Sequence, residues 1–116
     1  MTGCSWFQRI FSAVTRSCEG LDTLATITLN GIEVGRADNM HRIWEFDVKS
    51  LLAPGENTIE VHFASPTKFI KKAFAENPAD GSSDAMEGFP ALRKAHCMFG
   101  WDWGPHLPDA GIWRDI

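Results

Sequence analysis

The densest group of chemically capable side chains lies near the C-terminus, in Phe99-Gly100-Trp101-Asp102-Trp103-Gly104-Pro105. Two indoles flank one carboxylate, and glycines and a proline bound the group. A carboxylate such as Asp102 can accept hydrogen bonds from two neighbouring hydroxyls, and an indole face can cover an apolar C–H surface. The same residues also read as plain structure, with tryptophans packing in a glycine-bounded loop and Asp102 capping a backbone turn. Residue types alone favour that second reading. Arg93, a little upstream, either reaches the same place or pairs with a carboxylate.

The other reactive side chains offer less. His41, His62, His96 and His106 stand at no metal-ligand spacing, and His62 is expected on the outer face of its strand. His96 and Cys97 are adjacent, but neighbouring residues on extended backbone point in opposite directions, which separates a base from its nucleophile. Lys68, Lys71 and Lys72 read as the solvated face of a helix. No catalytic residue, metal centre or cofactor is therefore assigned to this chain.

The elements that must position these groups are mostly strands. Leu24 to Leu29 is rich in β-branched and aliphatic residues, Asn30-Gly31 follows, and a second extended run covers Ile32 to Gly35, which together predict a hairpin. In Arg42 to Val48, the residues Trp44, Phe46 and Val48 fall on one face and Glu45 and Asp47 on the other. After the Pro54-Gly55 turn, Ile59, Val61 and Phe63 alternate with Thr58, Glu60 and His62, so the first three define a core face. Ser65-Pro66 reads as an N-cap with proline at the first helical position. Phe69, Ile70, Ala73 and Phe74 then recur at helical spacing until Asn77-Pro78 stops the helix. Residues 78–90 have the composition of a mobile surface loop.

Composition narrows the class. With 116 residues, 44% hydrophobic and 22% charged, and 11 basic against 15 acidic residues for a formal charge of −4, the chain has room for one core. No stretch approaches the roughly 20 apolar residues of a membrane span, and the mild acidity gives no general attraction to nucleic acid. Membrane and nucleic-acid partners are accordingly not expected. Cys4, Cys18 and Cys97 are too few for a disulfide framework, no Asn-x-Ser/Thr sequon occurs, and the first eighteen residues lack the apolar run of a secretion signal. These features lean toward an intracellular location.

Several segments carry a resemblance to a known family. They are Glu19-Gly20-Leu21-Asp22-Thr23-Leu24-Ala25, Leu29-Asn30-Gly31, Ala37-Asp38-Asn39-Met40-His41-Arg42, Arg93-Lys94-Ala95, the Trp101 to Pro105 loop after Phe99-Gly100, and Gly111-Ile112-Trp113-Arg114. Together they resemble the N-terminal sugar-binding domain of β-mannosidases in glycoside hydrolase family 2, over 19–116. The first and last pieces are shared widely in that family, and Trp-Asp-Trp-Gly-Pro is particular to the mannosidases. The sequence departs from the family pattern at Met98, His106, Asp109 and Asp115.

The resemblance implies an all-β, jelly-roll β-sandwich of the galactose-binding-like kind with one short helix. It also implies an immunoglobulin-like domain and a (β/α)8 barrel elsewhere in the enzyme. The barrel of such an enzyme holds two glutamates about 5–5.5 Å apart for retaining hydrolysis, and neither falls within this chain. By the same resemblance Trp101, Asp102 and Trp103 line the substrate pocket, which favours a sugar contact for Asp102 and at least one tryptophan. Arg93 is an equal candidate for that pocket or for an ion pair. Trp113 is expected in the core of a closing strand, with Arg114 as an ion-pair partner.

Residues 1–18 match nothing in the family. Trp6, Phe7, Ile10, Phe11 and Val14 have helical spacing that would suit an amphipathic helix, and the alternative preferred here is accidental sequence at the end of a truncated product. Either way the jelly roll is expected to be incomplete at the N-terminus and prone to self-association through open sheet edges. The functional expectation is a non-catalytic sugar-binding fragment of a β-mannosidase-like enzyme, whose partner is a mannose-containing glycan reached through a barrel. A free-standing carbohydrate-binding or interaction module, or a non-functional remnant, is the alternative.

Overall fold

A computed structural model describes residues 4–7, 15–101 and 104–116. Eight short strands and one α-helix make up its regular elements. They are β1 (Cys4–Phe7), β2 (Thr15–Cys18), β3 (Leu21–Asp22), β4 (Ala25–Leu29), β5 (Ile32–Ala37), β6 (Trp44–Asp47), β7 (Thr58–Phe63), α1 (Pro66–Glu76) and β8 (Gly111–Ile112). A four-stranded antiparallel sheet runs in the order β1-β7-β4-β5, and two-stranded pairs join β2 to β6 and β3 to β8. Among the described residues these three sheets do not close on one another, giving a jelly-roll sandwich with open edges.

Local chemistry explains the central hairpin. Asn30 (φ 52°) and Gly31 (φ 81°) both adopt positive φ, the requirement of the tight turn whose twist matches its strands. The Asn30 side chain also anchors that turn to β7: its Oδ1 accepts from Thr58 N–H at 2.9 Å, and its Nδ2 donates to Asn57 Oδ1 at 2.9 Å. Asn57 is buried, and its amide is satisfied by both the N–H and the carbonyl of Ala53. A bulge follows Ile27, where the β4–β5 register slips from Ile27–Gly35 to Thr28–Glu33. Gly35 is needed there, since a Cβ would run into the Phe46 ring.

The alternation on β6 and β7 delivers its expected face. Val61 is buried, Ile59, Phe63, Trp44 and Phe46 are half-buried, and all pack against a core of Cys18, Leu21, Ala25, Ile27 and Ala37. Glu60 and His62 are exposed on the other face. A second cluster, Ile70, Leu92 and Phe99 with Leu24, Met86 and Phe89 against it, sits under α1. Ser65 caps that helix by accepting from Lys68 N–H, Pro66 is its first residue and Asn77 its C-cap, as the sequence requires.

Two expectations are corrected. Trp6 and Phe7 do not start a helix: they lie in β1, opposite Ile59 and Thr58 of β7. The physical reason is that β7 would otherwise present a row of unpaired N–H and C=O groups, and backbone pairing satisfies them. The remaining positions of that stripe, Ile10, Phe11 and Val14, lie outside the described residues. Trp113 is not core. Strand β8 ends at Ile112, Trp113 is 47% exposed, and the Arg114 guanidinium lies over its ring at 4.2 Å as a cation–π partner.

Candidate functional site

The widely shared segments at the two ends of the domain meet in space. Leu21 and Asp22 of β3 pair with Ile112 and Gly111 of β8, Trp113 N–H donates to the Gly20 carbonyl, and Glu19 N–H donates to the Asp115 carbonyl, both at 2.9 Å. Gly20 is required because a Cβ there would meet the Arg114 backbone nitrogen at 2.5 Å. This closure places Asp22 inside the molecule, at 4% exposure.

Asp22 receives Lys94. The Lys94 side chain is fully buried and its Nζ binds Asp22 Oδ2, while Thr23 Oγ1 donates to Asp22 Oδ1. The exposed Asp109 carboxylate stands 3.8 Å from the same ammonium. A buried ammonium needs such company, because an unpaired charge in this environment costs several kcal/mol, of the order given for buried ions. Leu92 and Lys94 are buried, and Lys94 N–H donates to the Leu92 carbonyl at 2.9 Å across a tight turn that leaves Arg93 between them exposed.

Arg93 is thereby exposed on a backbone fixed from the other side. It forms a parallel bridge with Asn39, its carbonyl accepts Met40 N–H at 3.0 Å, and Ala95 N–H donates to the buried Met40 Sδ at 2.9 Å. Downstream, a 3₁₀ turn over His96–Phe99 carries the chain to buried Phe99, against which Phe89 packs. Trp101 then emerges 45% exposed and forms an isolated bridge with Gly104. Arg93 and Trp101 hang from opposite ends of one braced stretch. Asp102 and Trp103, the other two sequence candidates, lie outside the described residues.

The histidines show no gathering toward one point. His41, His62 and His106 are exposed, and His96 contacts the Phe89 ring edge-on at 4.9 Å. Among the described residues no group of three or more His, Cys, Asp or Glu could hold a metal ion. No helix is long and apolar enough to cross a membrane. Sequence reasoning missed Asp22 and Lys94 as a pair. No local signal distinguishes them, since 72 positions separate the two charges.

Fold and geometry define a galactose-binding-like β-sandwich with Trp101 exposed at the end of one braced segment. The chain belongs to the glycosyl hydrolase 2 galactose-binding domain-like family, whose model matches residues 11–114. It is 35% identical over 114 residues to a β-mannosidase of Bos taurus, covering 91% of this chain and 13% of that protein. It is 36% identical over 109 residues to β-mannosidase B of Aspergillus oryzae, covering 90% and 13%. Among solved structures, a β-D-mannosidase from Dictyoglomus thermophilum superposes with a TM-score of 0.83 at 37% identity, over 97% of this chain and 14% of that one. The chain thus spans about one eighth of the length of the relatives it matches.

Proposed function

We propose that this chain is the sugar-contacting domain of a β-mannosidase-type glycoside hydrolase, without the catalytic glutamates itself. It lends Trp101, Asp102 and Trp103, and Arg93 from the other end of the braced stretch, to a terminal β-mannoside held in a neighbouring barrel. The observation that carries this reading is Trp101, a large indole 45% exposed at the end of a stretch whose backbone is anchored at Arg93, Ala95 and Phe99. An indole with nearly half its surface exposed is chemically suited to the apolar C–H face of a pyranose. Asp102 adds an acceptor for two adjacent hydroxyls. The β-mannosidase relatives at 35–36% identity support the sugar's identity.

The test is kinetic. In a polypeptide that joins this domain to a family barrel, Asp102→Ala is expected to lower kcat/KM for an aryl β-mannoside by about ten- to a hundredfold, the scale of a lost hydrogen bond to a charged group in the transition state. Wild-type kinetics in that variant would return Asp102 to a turn-capping role.

A further inference from the structure

One short stretch, 84–86, holds both ends of the loop that carries Trp101. At the entry, Met86 N–H donates to the Phe99 carbonyl at 3.0 Å. At the exit, His106 Nε2 lies 3.0 Å from the Asp84 carbonyl oxygen. A carbonyl can only accept, so Nε2 carries the hydrogen. Between these points Gly100 takes φ 91°, and its backbone lies so close under the His106 imidazole that a Cβ would overlap the ring. The Trp101–Gly104 bridge closes the turn above it. Met86 in turn packs on the buried Ile70, Leu92 and Phe99 cluster, so the entry attachment rests on core, and the exit attachment at Asp84 lies two residues from it.

We propose that His106 is a positioning residue: with the 84–86 stretch it fixes the backbone at Gly100 and at 104–106, and so presets the Trp101 indole for its ligand. What the loop holds rests on the sugar-contacting reading above. Anchor points fixed in advance do not have to be fixed at the moment of binding, and apparent affinity scales with the fraction already in the competent state. Loss of the clamp lowers that fraction. The deficit appears in KM and disappears at saturation, where bound substrate keeps the loop in place, so kcat is retained. That split separates a positioning residue from Asp102, whose loss weakens the transition state itself.

Hydrogen exchange on the full chain tests the clamp. In His106→Ala, peptides covering 100–106 are expected to exchange about three- to tenfold faster, the effect of one hydrogen bond on local opening, with β4 and β7 unaltered. His106→Gln, whose amide can donate to the same carbonyl, is expected to restore the slow rate. In the barrel-joined polypeptide, His106→Ala is expected to raise KM for an aryl β-mannoside by a similar factor at constant kcat. Unaltered exchange at 100–106, an equal rise in β4 and β7, or no rescue by Gln would overturn the clamp. An unaltered KM would overturn its positioning role where Asp102→Ala does impair turnover. If exchange behaves as expected and Asp102→Ala has wild-type kinetics, the clamp stands and the sugar-contacting reading falls.

Discussion

In the β1-β7-β4-β5 sheet, many equivalent contacts share the load: a ladder of backbone hydrogen bonds, interrupted only by the β4–β5 bulge among the described residues, over an apolar face that includes Ile27, Leu29 and Val61. In the 92–106 stretch a few unlike contacts carry it. These are the Lys94–Asp22 pair, the Met40 backbone and sulfur, Phe99 in its cluster, and the His106 ring. The first region loses stability by degrees when trimmed. The second has single points at which one change moves the segment that presents Arg93 and Trp101. Placing exposed side chains on discretely fastened backbone sets their position closely, and it leaves that position dependent on individual side chains.

The largest test of this contrast is Lys94→Met. Removing the ammonium leaves the Asp22 carboxylate buried without its cation, and the expected loss is about 3–5 kcal/mol, read as a lowered denaturation midpoint. Replacing both members, Lys94→Met with Asp22→Leu, is expected to recover most of that stability, because no buried charge is left unpaired. A double variant as unstable as the single one would mean that the pair is not the fastening described.

Ile27→Ala probes the other region. Ile27 is 4% exposed in the middle of β4, and truncation is expected to cost about 2–5 kcal/mol through lost burial and the cavity left behind. Here no single change in a partner should restore stability, since the contacts are spread over several neighbours. Rescue of Ile27→Ala by one compensating substitution would erase the distinction between the two regions.

Cys18 gives the smallest effect. Burial pushes its thiol above the ordinary value of 9.0, with Arg16 pulling more weakly the other way. The unfolded thiol then ionises at lower pH than the folded one, so the native state binds more protons between the two values. Its contribution is intact below about pH 9, the unfolded value, and is lost as pH rises beyond it. Denaturation midpoints at pH 7 and pH 10 are expected to differ less in Cys18→Ala than in the wild type. Alkylation at neutral pH is expected at exposed Cys97 and not at Cys18. Rapid modification of Cys18 in the folded chain would show that the core beside β2 opens.

The parts of the fold legible in the sequence are those set by a few consecutive residues. Asn30-Gly31 specifies its turn because both positions must take positive φ, Ser65-Pro66 starts α1 because one side chain and one ring satisfy its first turn, and the alternation over Thr58 to Phe63 selects a face by geometry alone. The aromatic loop was legible as a motif, and Trp101 stands exposed on it.

What only the tertiary structure decided depends on segments that meet from far apart. Trp6 and Phe7 carry a helical stripe, yet the open edge of β7 recruits them as strand, because a missing ladder costs more than a local preference provides. Nothing within β8 reveals that it stops at Ile112 and leaves Trp113 at the surface under Arg114. Lys94 and Asp22 are 72 positions apart, and each alone reads as an ordinary surface charge. They become a buried pair only when β3 closes against β8 and excludes the water that would otherwise solvate them, a condition no local pattern of residue types encodes.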